Sequence, residues 1–299
     1  MLPIRANVDL QTYANLFNRT TDTVTLQQSV PHGHAGVDAT PWAQRLRNGH
    51  ALLRRIAPDR ADALDDLTVP HWEMPVVFAP WPGARHAVVT FAGNAGRLIL
   101  PEDLTARAGL HVIAVRDPAR CFGLCGIPGL GDAYLQCVAT LEAMIAAMRA
   151  QRLHCLGVSA GGYPALRYGL DLRADGVLAF CPPTTLDLAD DRQAPLSRYP
   201  QLARLYRHLP NLPLDLARCY AAARPRPRVL AVYDKGHERD SWLAERMAGI
   251  PGVDLRGVTE PVGHRVFHWL SETGGLVPLL EEMLALRPSA GAASAAAAE

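Results

Sequence analysis

Lysine is almost missing from this chain: Lys235 alone stands against 29 arginines in 299 residues. Charge of one sign is missing too, since the formal net charge is +1, and aromatic residues make up only 6% of the chain. No arginine-rich stripe is interleaved with aromatics, so the composition argues against a nucleic-acid partner. No run approaches the roughly 18 apolar residues of a membrane span. The opening MLPIRANVDLQTYANLF has no apolar core after its basic residue, unlike a secretory leader, and the expectation is a cytoplasmic chain with no membrane partner. Cysteine is sparse and dispersed, at positions 121, 125, 137, 155, 181 and 219. A chain of this length needs no disulfide framework, and reduced core thiols are expected. Cys121 and Cys125 form a C-x3-C with no second pair, and His32 and His34 have no third ligand nearby. Zinc sites need three or four spaced ligands, so no metal is expected.

What is present is a chain 49% hydrophobic and 20% charged, enough to bury one sizeable core. Residues 1–70 are polar and arginine-rich, with one helical pattern from Trp42 to Ile56. They read as an N-terminal extension that packs either on the main domain or on a protein partner or second copy of the chain. From Pro75 onward short apolar runs alternate with amphipathic helices. Candidate strands are Val76 to Ala79, Ala87 to Phe91, His111 to Val115, Leu153 to Val158, Gly176 to Phe180, Val229 to Tyr233 and Val253 to Val258. Helices are expected over Ala133 to Arg149 and Val266 to Leu280, with another starting near Ala165. Apolar strands without polar alternation imply a mainly parallel sheet covered by helices on both faces. In such sheets ligands bind beyond the carboxyl ends of the strands. Residues 184–227 interrupt the alternation and read either as a small helical cap or as a crossover helix with long linkers. The tail, 287–299, is alanine-rich, low in complexity and expected to be disordered.

One stretch carries chemistry. Gly157-Val158-Ser159-Ala160-Gly161 is a G-x-S-x-G between a candidate strand and a helical pattern. There the glycines would permit a sharp turn that raises the serine oxygen above the sheet. Pro164 has no N–H for the carbonyl of Ala160, so a distorted first helical turn is expected. A serine hydroxyl needs an imidazole base oriented by a carboxylate, from the ends of later strands. His264, in Glu260-Pro261-Val262-Gly263-His264, is the candidate base, ahead of His268. Asp240 is the candidate acid; it competes with a helix-capping role, and Asp234, Glu238 and Glu260 are the alternatives. Ala92-Gly93-Asn94-Ala95-Gly96 follows an earlier strand, which makes the backbone N–H groups of Asn94 and Ala160 the expected oxyanion donors. Arg116 and Arg120 follow another strand end, where they would bind a substrate carboxylate or phosphate, or else pair with Asp117.

Residues 75 to 285 resemble the α/β-hydrolase superfamily: GVSAGG at the turn, FAGNAG in the oxyanion position, and the chain order Ser159, Asp240, His264. Ala92 stands where many members have histidine. The resemblance implies a three-layer α/β-hydrolase fold with an eight-stranded sheet and a helical cap after the sixth strand. It also implies cofactor-free acyl transfer through Ser159 on a small acyl substrate. The expected activity is cleavage of a carboxylic ester or thioester, with an acyltransferase or a non-catalytic interaction protein on the same fold as alternatives.

Overall fold

The computed structural model describes Arg55 and residues 75–81, 83–94, 109–187 and 212–285. The N-terminal extension apart from Arg55, the middle of the segment 184–227 and the alanine-rich tail lie outside the described residues. Seven strands form one sheet: β1 (Val76–Ala79), β2 (His86–Phe91), β3 (His111–Val115), β4 (Arg152–Val158), β5 (Gly176–Phe180), β6 (Arg228–Asp234) and β7 (Val253–Val258), in the order β1-β3-β2-β4-β5-β6-β7. Only β1 runs antiparallel to its neighbour, β3; every other pairing is parallel. The described residues thus carry seven strands where the family resemblance implies eight.

Among the described residues six helices flank the sheet: α1 (Tyr134–Met148), α2 (Gly162–Asp171), α3 (Leu216–Ala222), α4 (Glu238–Glu245), α5 (Val266–Thr273) and α6 (Leu276–Ala285). Successive strand residues point to opposite faces, and the packing divides accordingly. Val89, Cys155 and Val177 pack with Leu141 and Met144 of α1, Leu166 of α2 and Tyr220 of α3. Their neighbours Val88, Leu156 and Leu178 pack with Leu270 of α5 and with Leu280 and Met283 of α6. Strands buried on both faces explain the continuous apolar runs. The C-terminal helical pattern, expected as a single helix, is two. Gly274, at φ 79°, ends α5 in the left-handed conformation that glycine adopts freely, and the chain restarts as α6.

The two described ends of the segment 184–227 are pinned together by a bridge between Thr185 and Asp215. Its helix α3 lies in a face layer, where the Tyr220 hydroxyl donates to the Leu166 carbonyl (2.9 Å). Among the described residues no helix is long and apolar enough to cross a membrane.

At the amino end of the sheet, the His86 and His154 rings stack with centroids 5.5 Å apart, beside an ion pair of Arg152 with Asp175. Burial pushes the His154 imidazole down to about 4. Unfolded, the same ring takes up its proton near pH 6.5. Between those values the unfolded chain binds more protons, so stability rises with pH and falls on acidification. Lowering the pH from 7 to 5 is expected to remove about 2 kcal/mol through this ring. Urea denaturation at the two pH values should show that loss in the wild type and a clearly smaller one in His154→Gln; equal losses would refute the assignment.

Candidate active site

The G-x-S-x-G lies at the carboxyl end of β4, the central strand of the seven and the fourth from either edge. Ser159 opens a single turn of 3-10 helix, Ser159–Gly161, which passes directly into α2. Its φ is +55°, a left-handed value uncommon for residues other than glycine. Both motif glycines are required by close approach. A Cβ on Gly157 would overlap the Gly161 carbonyl, and one on Gly161 would overlap the Phe91 and Ala92 carbonyls. Pro164 does not break the helix. It is the third residue of α2, within the first turn, where backbone N–H groups have no intrahelical acceptor. The 3-10 turn ahead of α2 is the irregularity that Pro164 led one to expect.

The side chain of Ser159 meets His264. His264 Nε2 lies 2.6 Å from Ser159 Oγ, and His264 Nδ1 lies 2.7 Å from Asp240 Oδ2. One neutral tautomer serves both contacts: Nδ1–H donates to the carboxylate, leaving Nε2 to accept from the hydroxyl. Asp240 is 2% exposed, whereas the His264 side chain is 46% exposed. The carboxylate is thus walled in, and the imidazole is open to an incoming molecule.

Asp240 and Asp234 have separate tasks. Asp240 sits in the first turn of α4 but does not cap it; the cap is His237, whose Nδ1 accepts from the Asp240 N–H. Asp234, at the end of β6, accepts from the N–H of Gly236 (2.6 Å) and from that of Gly263 (2.5 Å). It ties the strand end to the loop that carries His264. His268 lies on α5, its ring against Phe267.

Two neighbours of Asp240 escaped the sequence reading. His237 Nδ1 lies 3.1 Å from Asp240 Oδ2, and its ring centroid is 6.0 Å from that of His264. Cys181, at the end of β5, is buried against Asp240; burial and that carboxylate push its thiol pKa up, which keeps it protonated. The signal for His237 was its place three residues before Asp240, on the same helical turn. Cys181 offered only its position after a strand. Among the described residues, Cys181, Asp240 and His264 are the one group whose potential metal-ligating atoms all lie within 4.8 Å of one another.

The register pairs Phe91 of β2 with Gly157 of β4. The two strands therefore release their loops side by side, and a Cβ placed on Gly93 would stand 3.6 Å from Ser159 Cβ. Gly93, Asn94 and Ala160 line a cleft of about 220 Å³ together with Arg116 and Arg120. Asp117 lines the same cleft and organises the loop between these arginines. Its carboxylate accepts from the backbone N–H groups of Ala119, Cys121 and Gly123 at 2.9, 2.6 and 2.8 Å.

No protein-family model matches the chain, and no curated protein matches it in sequence. Solved structures do match in shape. The capsule O-acetyltransferase of Neisseria meningitidis serogroup A superposes with a TM-score of 0.50 at 11% identity, over 69% of this chain and 90% of that one. Its complex with caged gadolinium gives 0.51 at 13% identity over the same shares. An S-formylglutathione hydrolase from Agrobacterium tumefaciens gives 0.48 at 18% identity, over 70% of this chain and 89% of that one. At such identities the likeness concerns the fold alone, which is the α/β-hydrolase fold.

Proposed function

We propose that this α/β-hydrolase-fold protein is a serine-dependent acyl hydrolase that cleaves a carboxylic ester or thioester. The observation that carries this reading is the hydrogen-bonded chain from Ser159 through His264 to Asp240. Its members are 105 and 24 residues apart in sequence, so no local turn accounts for their meeting.

Ser159 Oγ attacks the substrate carbonyl while His264 Nε2 takes its proton. Asp240 holds the Nδ1–H tautomer and stabilises the imidazolium. The carbonyl oxygen, now negative, is received by the backbone N–H groups of Asn94 and Ala160. His264 then returns the proton to the leaving group. It next draws a proton from water as that water attacks the acyl-enzyme, and it passes the proton to Ser159 Oγ as the ester bond breaks and the acid leaves. Asp234 contributes by holding the Gly263 amide, one residue before the base. No step calls for a cofactor.

Transfer to an acceptor hydroxyl in place of water would use the same residues, and the fold is shared with a capsule O-acetyltransferase. Acyltransferase is therefore the second reading, separated from the first by comparing product formation with and without candidate acceptor alcohols.

The test of the nucleophile is a fluorophosphonate probe read by intact mass. Wild-type protein should gain one adduct and Ser159→Ala none. An adduct of unchanged yield in Ser159→Ala would remove Ser159 from the reading.

A further inference from the structure

Three neighbouring strand ends deliver metal-binding side chains to one point. Cys181 follows β5, Asp240 lies in the first turn of α4 after β6, and His264 follows β7. One donor atom from each lies within 4.8 Å of the other two. The proposed acyl transfer uses the carboxylate and the imidazole but leaves the thiol without a task. Cys181 is nevertheless firmly placed: its N–H donates to the Val232 carbonyl at 2.8 Å, its φ is +46°, and it is 2% exposed. Asp240 is equally buried, whereas the His264 ring is open to solvent. An ion can therefore enter over the imidazole and meet the other two donors behind it.

The donor set selects among cations. Sulfur and imidazole nitrogen suit zinc and its congeners, while magnesium and calcium take oxygen ligands. As thiolate and carboxylate, Cys181 and Asp240 supply two negative charges, so a divalent ion is neutralised where uncompensated charge is costly. Tetrahedral zinc sets its sulfur, nitrogen and oxygen ligands about 3.3–3.6 Å apart. Asp240 Oδ2 and His264 Nδ1 start at 2.7 Å, with Cys181 Sγ inside the 4.8 Å group. Shifts of about 1 Å thus complete three corners of the tetrahedron and leave the fourth open.

Coordination changes what the imidazole can do. Nδ1 is the ring nitrogen that faces Asp240, and a metal there takes its lone pair. In the neutral ring the proton then stands on Nε2, which becomes a donor toward Ser159 and no longer accepts the serine's proton. The balance is simple: the Nδ1 proton moves to Nε2, the Cys181 thiol releases its proton to solvent, and bonds from sulfur, nitrogen and oxygen to the metal form with no change of oxidation state.

We propose that Cys181, Asp240 and His264 form a reversible inhibitory site for zinc or a similar borderline-soft divalent cation, which holds the base in the wrong tautomer. The binding half stands on the cluster alone; the inhibitory half rests on the reading of His264 as the base for Ser159.

The experiment uses the full chain, stripped with EDTA and returned to chelator-free buffer. Cadmium, a spectroscopic substitute for zinc, should give a thiolate-to-metal ultraviolet band that is equal in wild type and Ser159→Ala and clearly smaller in Cys181→Ser. The other cysteines are common to all three proteins, so the difference reports Cys181. Zinc should lower hydrolysis of 4-nitrophenyl acetate by about tenfold or more in wild type, and EDTA should restore it. Half-inhibition of Cys181→Ser, measured against its own zinc-free rate, should need at least about tenfold more zinc, because oxygen replaces the softer sulfur. Magnesium and calcium should not inhibit. His264→Ala, whose lost side chain is half exposed, should bind zinc more weakly in competition with a colorimetric zinc indicator, even if Cys181→Ser folds poorly.

A cadmium band of equal size in wild type and Cys181→Ser, or zinc binding unchanged in His264→Ala, overturns the site. Inhibition as strong in Cys181→Ser as in wild type, or zinc held by the cluster with turnover undiminished, overturns the inhibitory role. If wild-type protein neither hydrolyses the ester nor takes the fluorophosphonate label, the serine reading falls and the inhibitory half falls with it, while the cadmium band still decides the metal site.

Discussion

Replacing His264 by alanine is expected to lower kcat/KM on a short-chain ester by on the order of 10⁴-fold or more, because residues that act as a unit in acyl transfer are not backed up singly. The geometry explains the size of the effect. His264 Nε2 is 2.6 Å from the serine oxygen, and without that acceptor the attacking group is a neutral hydroxyl, a weak nucleophile at neutral pH. Two other imidazoles need excluding. His237 is 6.0 Å away, centroid to centroid, with its Nδ1 turned to Asp240; His268 is on α5 beside Phe267. Near-full turnover in His264→Ala would transfer the base to one of them. The side chain is half exposed, so its loss should leave the fold intact, which circular dichroism can verify alongside the kinetics.

The second large effect concerns the acid. Asp240→Asn keeps the shape but can present an amide N–H to Nδ1, which disfavours the tautomer that leaves Nε2 free to accept. A loss of about 10³ to 10⁴-fold in kcat is expected. Asp234→Asn should behave differently. Its two oxygens serve two backbone amides, and the asparagine can accept from only one of them. The loop bearing His264 loosens, at a cost of about 1–3 kcal/mol in stability and no more than about tenfold in kcat. The two variants should be measured side by side by ester hydrolysis and by urea denaturation. A larger kinetic loss in Asp234→Asn would reverse the assignment.

Much of this architecture is legible in the residues. Val88-Val89, Cys155-Leu156 and Val177-Leu178 read as strands because these runs are apolar on both faces, and the structure puts a helical layer on each face. The turn at Ser159 is legible because two glycines leave few other ways to fold it. The break between α5 and α6 was missed: Leu270, Leu276 and Leu280 keep an apolar pattern across Gly274, and periodicity does not report a left-handed residue. The division of labour between Asp234 and Asp240 was legible only as a preference for Asp240. Both lie after the same strand, and only the distance to a loop about 25 residues further on separates them. Cys181 gains meaning only from Asp240, and His237 was marked only by its place three residues before that carboxylate.

The left-handed Ser159 has one more implication. Glycine would adopt φ +55° without the Cβ penalty that serine carries there, and two glycines already flank the position. On stability alone, then, Ser159 is the wrong residue for its own backbone. A chain with no use for a hydroxyl at this point would fold more readily without one. The strain accords with the proposed role, in which the position keeps a side chain for its oxygen at a backbone cost that glycine would not carry.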